Sequence, residues 1–449
     1  MRILIVGAGL VGSTLADKLS RDGHNVSVID SDADKFRELS DTIDVQVLEG
    51  NGATATMLRR AGIEESDLVV ATTDSDEVNI VVGLLASALF HVGRIVVRLR
   101  DPLHQETFDL INQANPVDHV RVNPDGAAVD RIAALLAVPG AVDVVSFLED
   151  RLLVAGFRIH SQSDFVGLRV SDMNLMFANT PTLAVAIERD DDWVIPHGEE
   201  VIASDDLVYF AISREHMEGV LQLVGVARDK RQDVMIAGAT PIGLELARRL
   251  ENLEVKVVLI EEDAERAQAA SDELRQTTII QGSVTSQGLL EEEEITRVST
   301  FVAVTEDHET NLVAGLLAKR LGAGRAVVLV DNPELVNLVG QLGIDAIISP
   351  RVLVIGLILQ HILGGRVHSA AQLLEDRVEI VEAEVAKGSA LTRATLSEVK
   401  LPRGVLVAAL GRGDTLLVPR GSDRAEPGDR VLLITTTENE PLLARFLSE

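Results

Sequence analysis

Apolar residues follow two alternating patterns along this 449-residue chain, and their alternation predicts α/β domains. The chain opens on an apolar run at residues 2–6, which is typical of a buried strand, and a glycine-rich bend follows at residues 7–12. After the bend, apolar residues recur at helical spacing: Leu10, Val11, Leu15 and Leu19. A strand, a glycine-rich turn and a helix in this order are typical of the opening of a nucleotide-binding Rossmann unit.

The same pattern returns in the second half of the chain, which indicates an internal duplication. Residues 233–237 form another apolar run, and Gly238 and Gly243 repeat the first and last glycines of the bend. Further pairs follow downstream: Asp30 with Glu261, Asn79 with Asn311, Asp74 with Glu306, and Asp101-Pro102 with Asn332-Pro333. We therefore expect an α/β protein with two tandem doubly wound parallel-sheet domains of the Rossmann-like type.

A shorter similarity follows each Rossmann-like part and predicts a small α/β domain there. Pro196-His197-Gly198 is matched by Pro419-Arg420-Gly421, and both belong to β-rich stretches with alternating apolar positions. The predicted domains cover residues 1–138, 139–228, 232–367 and 368–449, with a charged linker at residues 228–232. The chain is 46% apolar but only 3% aromatic, so its cores must be aliphatic, which favours parallel sheets covered by helices.

The bend and the end of the next strand form the first candidate nucleotide pocket. Gly7 permits the tight turn, Gly9 lets a pyrophosphate approach the backbone, and Gly12 lets the helix pack closely on the strand. Asp30 ends the next strand, where its carboxylate would accept the ribose hydroxyls and repel a 2′-phosphate, which favours NAD(H) or an adenine nucleotide. The alternative is a solvated turn before a helix, a role that we expect of Asp32.

Polar residues at the ends of the later strands extend this pocket. Asn51 stands between two glycines, where an adenosine could lie against the backbone or an ordinary turn could form. Thr73 and Asp74 end the fourth strand and would either contact phosphate or ribose or cap the next helix. Arg98 and Arg100 are expected on one face of the last strand of this unit, where they would neutralise a polyphosphate or form surface salt bridges.

The second bend has lost features that a dinucleotide needs. Thr240 replaces the glycine of close approach, and Pro241 removes a backbone N–H donor. Leu329 and Asp331 stand opposite the two arginines, although Glu261 keeps the ribose position. We expect the second domain to bind a dinucleotide far more weakly or to be structural.

Charge and composition exclude several classes of protein. A net charge of −29 repels nucleic acid and anionic lipid, and it suits either a basic protein partner or solubility alone. The chain has no cysteine, and its apolar windows at residues 80–90 and 352–359 are too short to cross a bilayer. The chain enters a strand at once, so we expect no signal peptide and a cytosolic location.

The catalytic motifs that we sought do not occur in the sequence. The single tyrosine, Tyr209, has Ser213 four residues further on, so a Tyr-x-x-x-Lys relay cannot form. No two histidines have the spacing His-x-x-x-His, and no Gly-x-Ser-x-Gly motif occurs. We therefore expect no enzyme, no catalytic residue and no metal site. An NAD-dependent oxidoreductase with a duplicated Rossmann domain remains the alternative, and an inert scaffold with a structural nucleotide is another.

Taken together, the duplicated pattern resembles the TrkA family, whose members are regulatory subunits of Trk-type bacterial potassium uptake systems built from RCK (KTN) units. The resemblance covers the whole chain and rests on these segments: 7–12, Asp30, 303–307, 317–323, 347–350 and 400–404. It implies that each small α/β domain is of the RCK C-terminal type. It also implies a cytoplasmic homo-oligomer, a tetramer, held at the inner face of the membrane by a potassium-translocating integral membrane subunit.

The same resemblance implies ligands and the residues that hold them. The expected ligands are NAD(H) and ATP or ADP, whose exchange would alter the gate of the membrane subunit. The implied binding residues are Gly7, Ala8, Gly9, Leu10, Val11, Gly12, Asp30, Asn51, Thr73, Asp74, Arg98, Arg100 and Glu261. The two arginines would reach phosphates across a protomer interface, and Asp125 stands where relatives often carry an acidic residue near the nucleotide. Thr240-Pro241 departs from the family pattern.

Overall fold

The computed structural model describes residues 1–114, 118–177, 182–190, 192–225, 233–332, 335, 342–363, 367–373, 378–399, 401–436, 439 and 446. The chain divides into two compact units. The first unit comprises Met1–Ala127 and Pro350–Ile362, and the second comprises Ala128–Ser349 and Leu363–Glu449. The expected linker at 228–232 lies outside the described residues, and the four domain boundaries remain predictions.

The first Rossmann-like sheet has six parallel strands. The strands are β1 (Arg2–Val6), β2 (Asn25–Asp30), β3 (Gln46–Glu49), β4 (Leu68–Ala71), β5 (Arg94–Arg98) and β6 (Asp118–Val122). The helices are α1 (Leu10–Arg21), α2 (Ala33–Thr42), α3 (Ala55–Arg60), α4 (Asp76–Leu84), α5 (Pro102–Ala114) and α6 (Pro124–Ala137). The strand order is β3-β2-β1-β4-β5-β6, which is the doubly wound arrangement and places the crevice between β1 and β4.

The second half repeats this sheet. Its strands are β12 (Asp233–Ala237), β13 (Val257–Glu261), β14 (Thr278–Gln281), β15 (Val298–Ala303), β16 (Arg325–Leu329) and β17 (Ala346–Ile348). Its helices are α9 (Pro241–Asn252), α10 (Ala264–Glu273), α11 (Gln287–Glu292), α12 (His308–Leu321) and α13 (Pro350–Leu363). The order β14-β13-β12-β15-β16-β17 matches the first sheet strand for strand, which confirms the predicted duplication and fold class.

Each Rossmann-like part is followed by a small antiparallel sheet. The first small domain contains β7 (Asp143–Phe147), β8 (Leu152–Arg158), α7 (Val170–Met176), β9 (Thr182–Arg189), β10 (Asp192–Val194), β11 (Leu207–Ser213) and α8 (Met217–Val224). The second contains β18 (Val367–Leu373), β19 (Val378–Glu384), α14 (Ala390–Arg393), β20 (Val405–Arg412), β21 (Thr415–Leu417) and β22 (Arg430–Thr436). Their strand orders, β10-β9-β11-β8-β7 and β18-β19-β22-β20-β21, describe the same topology read from opposite edges.

Four short turns of other helical types complete the described elements. They are the 3-10 turns Ile63–Glu65, Arg214–His216 and Ile295–Arg297, and the π-helical turn Leu85–Leu89 that continues α4. No helix among the described residues is both long enough and apolar enough to span a bilayer.

Both faces of the first sheet are covered, because its strands are apolar on both sides. Ile3 and Ile5 belong to the core on one face, and Leu4 and Val6 belong to the core on the other. Helix α13, which comes from the far end of the second repeat, joins the first of these cores through Val354, Ile355, Ile358, Leu359 and Ile362. A helix of the second half therefore completes the first domain.

The later part of helix α6 belongs to the second unit. Asp130 accepts a hydrogen bond from Arg249 at 2.5 Å, and Arg325 donates to the carbonyl oxygens of Leu135 and Val138 at 3.1 and 3.4 Å. Arg325 therefore satisfies carbonyl groups that the end of a helix leaves without intrahelical partners.

The two small domains share one apolar core within the second unit. Val154 and Tyr209 of the first domain lie in the same buried cluster as Ile380 and Leu432 of the second. Polar contacts reinforce the packing, since the Leu148 N–H donates to the Glu382 carboxylate at 3.0 Å. The small domains consequently act as a joint structural element of this unit.

Candidate functional site

The backbone of the first bend requires glycine at two of its three glycine positions. Gly7 has φ +109°, and a Cβ there would lie 2.8 Å from the amide nitrogen of Thr73. A Cβ on Gly12 would collide with the carbonyl oxygen of Gly7. The bend is thus packed against the end of β4 on one side and against its own helix on the other. These contacts agree with the turn and packing roles predicted for Gly7 and Gly12.

Gly9 differs from these two because the space beside it is open. It stands immediately before α1 with ordinary φ, and a Cβ placed there would meet no atom within 4 Å. No side chain in the described part of the chain caps the first turn of α1, so its N–H groups lack the acceptor that most helices supply at this position. Leu10 is 61% exposed beside them, whereas Ala8 and Val11 are buried. The helix therefore presents uncapped donors to open space, the arrangement that binds phosphate groups.

Asp30 ends β2 next to the bend. Its carboxylate accepts hydrogen bonds from the backbone N–H groups of Ala8 at 2.5 Å and Asp32 at 2.8 Å. A carboxylate offers about four acceptor positions, so two remain for ribose hydroxyls. Asp32 caps α2 by accepting from Asp34 N–H at 2.9 Å, which confirms the role predicted for it.

Strand β4 ends at Ala71, so Thr73 and Asp74 follow the strand and do not end it as expected. Thr73 is held by a buried amide that was not among the predicted site residues. Asn79 is fully buried, and its Oδ1 accepts from the hydroxyl of Thr73 at 2.7 Å. Its Nδ2 donates to the carbonyl oxygens of Thr73 and Arg98 at 2.9 and 3.0 Å, which joins the ends of β4 and β5. Ser75, and not Thr73 or Asp74, caps α4. The repetition of Asn79 as Asn311 was the available signal for this structural role.

Asn51 lies in a turn after β3. Its side-chain oxygen accepts from the Ala53 N–H at 2.9 Å, so the turn alternative considered for this residue is formed. Gly50 before it has φ +156°, and a Cβ on Gly52 would collide with the side chain of Val6. The turn therefore approaches β1 more closely than any residue with a side chain would allow.

Arg98 is a buried charged group with few polar contacts. Its side chain is 8% exposed, yet its nearest ionic partner, Asp74, lies 3.4 Å away and is 80% exposed. Among the described residues its Nε has no hydrogen-bond partner, and its guanidinium also donates to the carbonyl oxygen of Thr72 at 3.5 Å. Burial lowers the pKa of Arg98 below the ordinary arginine value, and the neighbouring Arg100 lowers it further, while Asp74 and Asp125 oppose both. A second anion beside Arg98 would relieve this cost.

The expected placement of Arg98 and Arg100 on one strand is wrong. Strand β5 ends at Arg98, and β6 is the last strand of the sheet, so Arg100 lies in the turn beyond β5 with an exposed residue surface. The turn forms because the Asp76 carboxylate accepts the backbone N–H groups of Arg100 and Asp101, at 2.9 and 2.8 Å. The structure therefore separates the two guanidinium groups into one buried and one exposed position.

Asp125 lies in the first turn of α6. The side chain of Asn123 accepts from the N–H groups of Asp125 and Gly126 at 3.0 and 3.1 Å and so begins the helix. Asp125 is near enough to Arg98 to raise its pKa, which places the acidic residue beside the same crevice. Of the described residues, none form a cluster of three or more side chains suited to hold a metal ion.

In the second half, the positions that match the first pocket are occupied by internal contacts. The hydroxyl of Thr240 caps α9 by accepting from Gly243 N–H at 3.3 Å and donates to the carbonyl oxygen of Val304 at 2.8 Å. Glu261 accepts from the N–H groups of Ala239 and Asp263 and from Arg266, whose Nη2 lies 2.9 Å from its Oε1. Burial of Glu261 opposes its ionisation, but these hydrogen bonds outweigh that effect and lower its pKa.

Two doubly wound sheets, each opened by a glycine bend and each followed by a small antiparallel sheet, define a tandem Rossmann-type protein. Family models match most of the chain: the TrkA-N domain at residues 3–120 and 234–350, and the TrkA-C domain at residues 154–225 and 380–448. The chain belongs to the TrkA family.

Named relatives are similar to this chain over nearly its full length, in agreement with the family assignment. The Trk system potassium uptake protein TrkA of Halomonas elongata is 33% identical over 438 residues, which cover 96% of this chain and 95% of the relative. Homolog 1 of the same protein from Methanosarcina mazei is 30% identical and covers 97% of each chain.

Solved structures share the fold at low sequence identity. The GsuK RCK domain superposes with a TM-score of 0.63 at 20% identity and covers 99% of this chain and 94% of its own. The GsuK channel bound to NAD gives a TM-score of 0.62 at 20% identity, with coverage of 99% and 78%.

Proposed function

We propose that this chain is a nucleotide-binding regulatory subunit of a Trk-type potassium uptake system. In this proposal the first crevice binds NAD(H) and ATP or ADP, and the chain acts by binding and not by catalysis. The names of its relatives support a role in potassium uptake, and the NAD-bound GsuK channel supports the choice of ligand. The partner is a potassium-translocating membrane subunit, which would hold a homotetramer of this chain at the cytoplasmic face.

The state of Arg98 is the observation that carries the proposal. This buried guanidinium has an unpartnered Nε and a distant, solvated carboxylate as its ionic partner. It contacts Thr72, whose backbone packs against Gly7, so it lies beside the uncapped start of α1. Helix donors and a buried arginine together favour phosphate groups, while the free acceptor positions of Asp30 favour an adenosine ribose without a 2′-phosphate.

Regulation requires that the ligand binds two arrangements of the oligomer with different affinity. A coupling free energy of about 1–3 kcal/mol would change the open population of the membrane subunit about 5–150-fold. Phosphates that satisfy Arg98, and Arg100 of the same or a neighbouring subunit, would supply such a difference, because a buried unsatisfied charge is costly in the ligand-free arrangement.

Calorimetric titration with NADH, ATP and ADP tests the binding step. We expect Asp30→Ala to weaken NADH binding at least about tenfold, since a hydrogen-bonded carboxylate acceptor contributes about 1.5 kcal/mol or more. Glu64→Ala is the matched control, because Glu64 is an exposed carboxylate of the same domain that pairs with Arg59. Equal affinities in all three proteins would contradict the assignment of the pocket.

Potassium flux through the reconstituted membrane subunit tests the regulatory step. We expect flux to change when nucleotide is added in the presence of wild-type chain and to remain unchanged with Asp30→Ala. Nucleotide binding without any effect on flux would contradict regulation. Turnover of NADH by the purified chain with a small-molecule substrate would instead favour the alternative, an NAD-dependent oxidoreductase with a duplicated Rossmann domain.

A further inference from the structure

The carboxylate at the ribose position of the second crevice is already engaged by a side chain of its own domain. Arg266, in the first turn of α10, donates from Nη2 and Nε to Glu261 Oε1 at 2.9 and 3.3 Å. A ribose hydroxyl would donate to the same carboxylate, so guanidinium and ribose compete for one acceptor.

Arg266 also reaches the other side of the crevice. Its Nη1 lies 3.5 Å from the carboxylate of Glu306, the residue that corresponds to Asp74 of the first half. One guanidinium therefore connects the ends of β13 and β15, whose counterparts in the first domain enclose the candidate nucleotide site.

The phosphate side of the second crevice is closed by a different residue. Thr240 occupies the position of Gly9, beside which the first domain has open space. Its hydroxyl takes the N–H of Gly243, a donor that a phosphate would otherwise use, and Pro241 has no N–H at all. The ribose position of a dinucleotide is thus occupied by Arg266, and its phosphate position is occupied by the Thr240 hydroxyl.

The first crevice has neither feature. Asp30 forms no ion pair among the described residues, and no side chain caps α1. Lys35 stands at the position of Arg266, and no ion pair between it and Asp30 or Asp74 occurs in the described part of the chain. The difference between the two crevices is therefore a difference of side chains on the same backbone.

We propose that Arg266 is a built-in occupant of the second crevice, which takes the place of the ligand's ribose and limits each chain to one dinucleotide. The guanidinium bonds to Glu261 and Glu306 hold this crevice together without a ligand. Thr240 adds to the effect by occupying a helix donor, but the arginine is the determinant.

This inference is tested by calorimetric measurement of the number of NADH molecules that each full-length chain binds. The variants are Arg266→Ala, Thr240→Gly and the double variant, and Arg297→Ala is the control because its exposed pair with Glu294 lies in the same domain. We expect one additional site per chain, compared with wild type, in Arg266→Ala or in the double variant, and none in Thr240→Gly or in the control. The proposal would be overturned if the single variant Thr240→Gly gained a site. It would also be overturned if neither Arg266→Ala nor the double variant gained one.

Hydrogen exchange of the wild-type chain provides a measurement that does not depend on the folding of any variant. We expect NADH to leave the amides of residues 239–243 and 261–266 unchanged, and protection of these amides by NADH would show that a ligand displaces Arg266. A failure of the proposed function would appear separately. If the proposed function were wrong, NADH would not bind the first crevice in wild type or in any variant. The additional site in the variants that lack Arg266 would still be seen.

Discussion

The two Rossmann-like domains share a backbone but differ in what fills the crevice. Gly7 and Gly238 have the same φ of +109°, and Asn79 and Asn311 join the same pair of strand ends in each half. In the first crevice, however, a buried arginine lacks a full set of partners, and in the second an arginine pairs with two carboxylates. Residues that maintain the turn have been retained in both copies, whereas residues that would meet a ligand have diverged.

This contrast separates the glycines of a nucleotide-binding bend into two kinds. Gly12 and Gly243 are needed for packing in both halves, because a Cβ at either position would collide with the preceding turn. Gly9 has no such constraint, and its counterpart is Thr240. Gly9 is therefore the glycine of the bend that we propose serves the ligand and not the packing.

The largest effect is expected when the packing glycines are replaced. Gly12→Ala and Gly243→Ala should each lower the free energy of unfolding by about 3 kcal/mol, because the added methyl group overpacks the bend. Only Gly12→Ala should also abolish NADH binding. Denaturant unfolding and calorimetry would measure the two effects.

Gly9→Ala is the matched control for these variants. It should leave the free energy of unfolding nearly unchanged, since the space beside it is open, and yet weaken NADH binding. A loss of stability in Gly9→Ala comparable with that in Gly12→Ala would contradict the distinction between the two kinds of glycine.

The next effect concerns the buried amides. Asn79→Ala and Asn311→Ala each leave backbone carbonyl groups at two strand ends without a donor, and each should cost about 2 kcal/mol of unfolding free energy. The two losses should be equal, because the contacts are the same in both halves. A marked inequality in denaturant unfolding would indicate that one amide has a further role.

Arg98→Ala should weaken NADH binding without lowering the stability of the ligand-free chain. NADH affinity should fall about tenfold, or about 1.4 kcal/mol, through loss of a phosphate partner. Stability without ligand should stay the same or rise, because an incompletely paired buried charge is removed. Arg21→Ala, which removes an exposed arginine paired with Asp17 in the same domain, should alter neither quantity. Loss of stability without loss of affinity in Arg98→Ala would assign a structural role to the residue.

The smallest effect concerns pH and the second crevice. The pKa of Glu261 is lowered in the folded chain, so its contribution to stability is present above the unfolded carboxyl value of about 4.3 and is lost as the pH falls through the folded pKa. Wild type should therefore melt at a higher temperature than Glu261→Gln near neutral pH, and the difference should shrink on acidification. A constant difference down to pH 3 would contradict ionisation of Glu261.

Local patterns predicted the duplicated fold well, because strands and helices have different apolar periodicities and the bends are marked by the spacing of their glycines. The roles of Gly7 and Gly12 followed from spacing alone, as did the cap at Asp32. The position of Arg100 did not, because apolar Leu99 prolongs the strand pattern, while the turn forms where the Asp76 carboxylate accepts the backbone N–H of Arg100 from 24 residues away.

Long-range partners were the part that sequence could not supply. Arg266 lies on a helix rich in polar residues, and the sequence around it does not predict a hydrogen bond to Glu261. The apolar window at residues 352–359 lies within the helix Pro350–Leu363, but periodicity does not say which sheet a helix will cover. Contacts of this kind depend on the folded topology and not on local spacing.

That helix has a consequence for the history of the gene. A stop codon between the end of β6 at Val122 and residue 350 would remove a helix that covers the first domain's sheet and would expose apolar side chains, although all strands of that sheet had been translated. Losing the second copy by truncation would therefore damage the first. The second half of the chain therefore supplies part of the first domain's core, whether or not its own crevice binds a ligand.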